Sequence, residues 1–175
     1  MNVVYTIGYE GTDIDRFIAT LKTVGVTVLA DVRAVPVSRK KGFSKNGLRQ
    51  RLDAEGIAYV HLVELGDPKP GRDAARAGRH EEFRRVYAQH LKSADALGAL
   101  KVLDEAARND SVCLLCFERD PTVCHRKMIA DRLNTRGFQI FDLYGDEPNR
   151  YVRHAEKLPR RRSRKSNAES QPEVW

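Results

Sequence analysis

The stretch Val112-Cys113-Leu114-Leu115-Cys116-Phe117-Glu118-Arg119-Asp120-Pro121-Thr122-Val123-Cys124-His125-Arg126 decides how this chain reads. Its first part, Val112 to Phe117, is a short continuous apolar run and reads as a buried strand. After Asp120-Pro121 a helical pattern runs from Val123 to Arg136 through Met128, Ile129 and Leu133, and Gly137 stops it. Phe138 to Leu143 is a further apolar run. Strand, helix and strand in about 30 residues make a βαβ unit, whose two strands lie parallel.

Working outward, the same alternation fills the rest of the chain. Val3 to Ile7 reads as a strand ended by Gly8, and Thr12 or Asp13 as the N-cap of a helix through Ile14, Phe17, Ile18 and Leu21 that stops at Gly25. Val26 to Val32 is a second strand, Leu48 and Leu52 mark a helix stopped by Gly56, and Ile57 to Leu62 is a third strand. Glu64 to about Gly78 reads as a long loop because of its Gly and Pro content. Helices follow over Glu81 to Leu91 and, capped by Ser93, through Leu97, Leu100 and Leu103. The expectation is a single α/β domain over residues 1–157, with a mostly parallel five-stranded sheet and helices on both faces. Residues 158–175 read as a basic, disordered tail, since they hold almost nothing to bury.

Composition narrows the function classes. Of 175 residues, 41% are hydrophobic and 31% charged, which supplies a core and excludes a wholly disordered chain. No run approaches the roughly 18 apolar residues of a membrane span. The N-terminus lacks the pattern of a secretory signal. Three cysteines cannot all pair with one another, so they read as reduced thiols in a cytoplasm. The net charge is +7, and eight of the 31 Lys and Arg lie from Arg150 onward against three Glu. A second basic region lies within the domain. Between Asp31 and Asp53 there are seven basic residues (Arg33, Arg39, Lys40, Lys41, Lys45, Arg49 and Arg51) and no acidic one. A solvated face normally mixes signs, so this run points to an anionic small molecule or a nucleic acid as partner. Nothing in the sequence speaks to the oligomeric state.

In parallel sheets ligands sit beyond the carboxyl ends of the strands. The segments after the strands should therefore converge: Gly8 to Gly11, Asp31 to Ser38, His61 to Gly66, and Glu118 to Arg126. Gly8-Tyr9-Glu10-Gly11 allows close backbone approach to a ligand, but it is neither a dinucleotide fingerprint nor a phosphate loop. Strand alternation puts Asp31 and Arg33 on one side, where the Asp orients an Arg able to grip a carboxylate or phosphate; the alternative is an ion pair that closes the strand end. Arg126, at the start of a helix, is a second anion-holding candidate, and Gly8, Tyr9, Glu10 and Ser38 complete the binding set.

The catalytic candidates are Cys116, Glu118, Cys124 and His125. A helix N-terminus with His125 and Arg126 beside it lowers a thiol pKa, which makes Cys116 or Cys124 a nucleophile; Glu118 or His125 would move a proton. Cys113 and Cys116 form a C-x-x-C, but residues three apart in a strand face opposite ways, so Cys113 reads as a core thiol and not as half of a zinc knuckle. Zinc held by Cys116, Cys124, His125 and a distant fourth ligand is a secondary reading, and the sequence names no cofactor.

Several of these stretches carry a family resemblance. Thr6-Ile7-Gly8 with Tyr9 and Glu10, Asp31-Val32-Arg33 with Pro36 and Ser38, Phe43, Gly56-Ile57-Ala58-Tyr59, Leu65-Gly66, and Cys116-Phe117-Glu118 followed by Cys124-His125-Arg126 resemble the bacterial and archaeal domain-of-unknown-function family 488. The match runs in order through about residues 3 to 145. Many relatives have a His-Ser-like pair at Tyr9-Glu10 and a further Gly where this chain has Asp67. The resemblance marks the Cys-Glu-Cys-His-Arg cluster and names no substrate. Leu29 to Arg33 and the strand containing Cys116 are also similar to rhodanese and phosphatase-like domains, although the Cys-x5-Arg spacing fits only Cys113 and Arg119, with Cys113 inside the strand.

The expected function is an enzyme acting on a phosphorylated or nucleic-acid substrate at this cluster. The alternatives are a rhodanese- or phosphatase-like thiolate transferase and a nucleic-acid-binding module without turnover.

Overall fold

The structure, a computed structural model, describes residues 2–152. The basic tail expected from residue 158 lies outside the described residues. Five strands form one sheet, and every strand pair is parallel: β1 (Asn2–Gly8), β2 (Val28–Asp31), β3 (Ala58–His61), β4 (Val112–Cys116) and β5 (Phe138–Tyr144), in the order β3-β2-β4-β1-β5. Among the described residues seven helices connect and cover them: α1 (Ile14–Val24), α2 (Lys45–Asp53), α3 (Lys69–Arg76), α4 (His80–His90), α5 (Ala94–Asn109), α6 (His125–Asn134) and the short α7 (Asn149–Val152). No helix among the described residues is long and apolar enough to cross a membrane.

The period-2 alternation of the strands divides the interior into two cores. Val4, Ala30, Val112, Leu114 and Phe138 face one side and pack with α3, α4, α5 and α6. Tyr5, Ile7, Leu29, Cys113, Leu115 and Leu143 face the other and pack with α1, α2 and α7. The C-x-x-C is thereby split, with Cys113 in the second core and Cys116 facing the first. The helix ends follow local chemistry. Asp13 caps α1 by accepting from the Arg16 amide, and Gly25 ends it in the left-handed region at φ 76°. Ser93 caps α5 through the Ala96 amide.

Two stretches differ from expectation. Residues 64–78 are not a loop, because a 3-10 turn at Val63–Leu65 leads into α3. Pro68 occupies the N-cap and Pro70 the first turn, positions where a missing N–H costs nothing, so prolines that suggest a break here open a helix. The helix expected from Val123 begins at His125, because Cys124 is extended (φ −118°, ψ 146°) after a 3-10 turn at Pro121–Val123 whose N-cap is Asp120.

The strand order fixes where a site can form. From β2 the chain moves outward to β3, whereas from β4 it crosses to β5 on the other side. Adjacent strands whose exits diverge leave a crevice at their carboxyl ends. Here α1 after β1 and α2 after β2 pack on one face and α6 after β4 on the other, so the exit of β4 diverges from those of both its neighbours and a crevice is expected at the carboxyl end of β4.

Candidate functional site

Cys116 ends β4 on the face covered by α6, and Cys124 is the N-cap of α6. The register brings the next residue, His125, back over the strand end. Its Nδ1 lies 3.6 Å from the Cys116 sulfur and 3.9 Å from the Cys124 sulfur. Its Nε2 lies 2.8 Å from the carbonyl oxygen of Val32, just beyond β2. A carbonyl only accepts, so Nε2 carries the proton, and in the neutral ring the Nδ1 lone pair faces the two sulfurs. The ring also packs edge-on against Tyr87, at 5.2 Å between centroids. The Cys116 thiol donates to Glu118 Oε2 at 3.0 Å. Cys116, Cys124 and His125 are buried, and Glu118 is half-buried.

The electrostatics follow from burial and close packing. Burial pushes the Cys116 thiol up, and the neighbouring Cys124 and Glu118 push it further. Burial also works against a Cys124 thiolate, but hydrogen bonding from Cys116 and the charge of His125 hold that thiol well below its usual range. Burial opposes charge on His125 too; Cys124 and the Val32 carbonyl outweigh it and raise the imidazole to about 9. Glu118 is raised to about 7 by burial first and by the Cys124 charge second. Two thiols, one imidazole and one carboxyl thus share a small number of protons in one dry corner.

Arg126, the second residue of α6, is wholly buried, and its guanidinium is turned to Thr6 of β1 and to the loop after β4. Its Nε donates to Thr6 Oγ1 (3.2 Å), its Nη2 to the Arg119 carbonyl (3.0 Å) and its Nη1 to the Glu118 carbonyl. Thr6 in turn donates to Asp142 at 2.6 Å. This arginine braces the loop after β4 from below. Gly8 completes the bracing, since a Cβ there would lie 1.8 Å from the Glu118 carbonyl oxygen. Beyond it the loops after β1 and β4 are joined, Glu10 N donating to the Phe117 carbonyl (2.8 Å) and Arg119 N to Glu10 Oε2 (2.9 Å).

Asp31 and Arg33 form a separate cluster on the opposite face. Arg33 grips Asp31 through Nε (2.9 Å) and Nη2 (2.6 Å), and its Nη1 donates to the Phe43 carbonyl (2.8 Å) and to the Tyr9 hydroxyl (3.4 Å). Tyr59 donates its hydroxyl to Asp31 at 2.6 Å. Asp31 is 0% exposed and Arg33 5%, and despite burial Asp31 pushes the Arg33 guanidinium above its ordinary range. Tyr9 stacks on Phe43 with 4.5 Å between centroids. The structure therefore joins Cys116, Glu118, Cys124 and His125, places Gly8, Glu10 and Arg126 beneath or beside them as loop supports, and puts Asp31, Arg33 and Tyr9 behind the sheet. Ser38 belongs to none of these groups. It exchanges hydrogen bonds with Ser44 at 3.0 Å each and holds its own loop closed.

Sequence reasoning passed over one acid. Asp67, ahead of α3, is only 6% exposed, and its Oδ1 accepts no hydrogen bond among the described residues. Burial raises its carboxyl to about 6, against the pull of His125 and then Arg72. The one signal was that relatives often carry Gly at this position. Cys113 stays in the far core with its thiol pushed up by burial, and Arg119 pairs with Asp146 and Glu147, so no Cys-x5-Arg cradle forms between them. The three atoms able to ligate a metal, Cys116 Sγ, Cys124 Sγ and a His125 nitrogen, lie within 4.8 Å of one another.

No curated protein and no solved structure matches the chain. A family profile does match, over residues 13–133, which is more than half of the chain and takes in the strand end, both thiols and the helix that follows. On that match the chain belongs to the family described as Domain of unknown function DUF488.

Proposed function

We propose that this chain is an enzyme that acts on a nucleic-acid or similarly phosphorylated substrate at the carboxyl end of β4, with Glu118 as the group that carries the proton. One observation carries the reading. Of the four clustered side chains Glu118 is the most exposed, while its carboxyl accepts from a buried thiol at 3.0 Å. A positioned carboxyl half in water and half against reactive groups is what acid–base chemistry requires.

The surroundings support the substrate class. Arg39 and Lys41, in the loop after β2, are exposed. Phe117, beside Glu118, is 46% exposed and offers a ring on which a base can stack. Val35, Val37, Val63 and Val123, on the same post-strand segments, are also left in water. Cations and unpaired apolar side chains at one edge fit a ligand that is both charged and planar. Reduced thiols fit a cytoplasmic setting.

The test uses single-stranded DNA and RNA oligonucleotides, with binding followed by anisotropy and products by mass spectrometry. Glu118→Gln should keep binding and lose turnover by about 100-fold or more. Arg39→Glu with Lys41→Glu should weaken binding and flatten its salt dependence. Binding without any turnover in the unaltered chain would make it a binding module instead.

A second reading is a thiolate transferase. The depressed Cys124 thiol beside a raised His125 favours it. It requires a covalent adduct on Cys124 during turnover, which peptide mass mapping detects.

A further inference from the structure

We infer that Cys116, Cys124 and His125 form a binding site for one zinc-class divalent cation, held by the two sulfurs and by Nδ1. This deepens the enzyme reading above by naming the cofactor of the same site.

Geometry carries it. A tetrahedral zinc ion sits about 2.3 Å from a thiolate and about 2.0 Å from an imidazole nitrogen, which places sulfur and nitrogen about 3.6 Å apart. The two sulfur–Nδ1 distances are 3.6 and 3.9 Å, with all three ligand atoms within 4.8 Å. The imidazole is also presented in the required orientation. Its outer nitrogen donates to the Val32 carbonyl at 2.8 Å, the backbone partner that orients metal-binding histidines, so an ion that displaces the proton on the inner nitrogen meets a lone pair aimed at both sulfurs. Two thiolates and an imidazole select zinc over the hard cations, which prefer oxygen.

The surrounding charge agrees. The α6 N-terminus favours deprotonated sulfur at Cys124, which caps it. Arg126 would oppose a cation, but its three donor atoms are turned to Thr6 and to the carbonyls of Glu118 and Arg119. Asp67 supplies the independent observation. It is buried, and one of its oxygens has no hydrogen-bond partner among the described residues. A buried carboxyl close enough to Cys124 and His125 to feel their charge adds negative potential that a cation would offset. Three protein ligands rather than four among the described residues leave a coordination position open, the arrangement of catalytic rather than structural zinc. Glu118, on the Cys116 sulfur, then stands next to the ion.

The test is titration of the full, reduced chain with cobalt(II), followed by displacement with zinc(II). The expected result is one cobalt per chain, thiolate-to-cobalt charge-transfer absorption and the intense visible bands of tetrahedral cobalt, all lost when zinc is added. Cys113→Ala should leave the titration unchanged, because that thiol lies in the opposite core. Cys116→Ser and Cys124→Ser should each weaken zinc binding by about 100-fold or more, with folding checked by circular dichroism. Should either variant unfold, the unaltered chain still decides the matter: zinc should protect Cys116 and Cys124 from iodoacetamide. A chain that shows no charge-transfer band and no protection overturns the inference, as does binding abolished by Cys113→Ala. The two readings fail separately. Cobalt bound without turnover removes the enzyme and keeps the metal site; turnover in a chain that binds no cobalt does the reverse.

Discussion

His125 Nε2 donates to the carbonyl oxygen of Val32 at 2.8 Å, across 93 residues of sequence. This bond joins the segment after β4 to the segment after β2 at the point where their paths diverge. It holds α6 against the sheet, selects the proton position on the imidazole, and aims Nδ1 at both sulfurs. Removing it should be felt as stability as well as chemistry. His125→Ala leaves the Val32 carbonyl buried without a donor, which costs about 1–3 kcal/mol, with a further loss from the cavity beside Tyr87. Urea unfolding measures the sum. A change below about 0.5 kcal/mol would mean that the bond does not brace the crevice.

Gly8 has no room for a side chain. Ala at this position would place Cβ 1.8 Å from the Glu118 carbonyl oxygen, which Arg126 also holds from below. Backbone must move, so Gly8→Ala should destabilise the chain by about 1–3 kcal/mol and displace Glu118 from Cys116. Chemical denaturation reads the first effect and the rate of iodoacetamide reaction at Cys116 the second. Unchanged values for both would contradict the close approach.

The Asp31–Arg33 pair predicts a cycle. Arg33→Met alone leaves Asp31 buried with only the Tyr59 hydroxyl and the Arg33 amide as donors, and should cost about 3–5 kcal/mol. Replacing both residues by apolar ones of similar size should recover most of that loss, because the cost lies in the unpaired charge. If instead the double variant were as stable as the unaltered chain yet had lost oligonucleotide binding, Arg33 would be a ligand-gripping residue after all.

Asp67 sets a pH dependence with a definite sign. Its carboxyl is raised to about 6 in the folded chain from an ordinary 3.8, so the folded state holds the proton more tightly than the unfolded state. Its contribution to stability therefore falls as pH rises from about 4 through 6 and stays unfavourable above that. The titratable and charged groups around it are His125, Arg72, Cys124 and His90. In the metal-free chain, Asp67→Asn should exceed the unaltered chain in stability at pH 8, and the gap should close as the pH falls towards 4. Urea midpoints across that range check it. A gap that widened in acid would reverse the assignment.

What the amino-acid order determined was local and periodic. Continuous apolar runs made strands, of which the central β4 is buried along its whole length, and i, i+3, i+4 spacing made helices. Asp13, Ser93 and Gly25 mark helix ends because a short polar side chain or a missing Cβ acts on its own neighbours. The period of two also separated Cys113 from Cys116 before any tertiary contact was known, since it is a property of the strand alone. The cluster of Cys116, Glu118, Cys124 and His125 was legible for the same reason: the four residues flank one strand–helix junction. The segment from Glu64 to Gly78 was misread because proline breaks or opens a helix according to its position in the first turn, which composition does not give.

Partners were decided only by the tertiary structure. Arg33 and Arg126 are identical as sequence and carry five donors each, and an arginine takes whatever acceptors the fold presents. One met Asp31 and the Phe43 carbonyl, the other Thr6 and two carbonyls of the loop after β4. The Asp67 Oδ1 that lacks a hydrogen-bond partner among the described residues and the bond between His125 and Val32 arise in the same way, between segments brought together by strand order. Secondary structure answers to neighbours a few residues apart, whereas a buried charge answers to groups that only the folded sheet delivers.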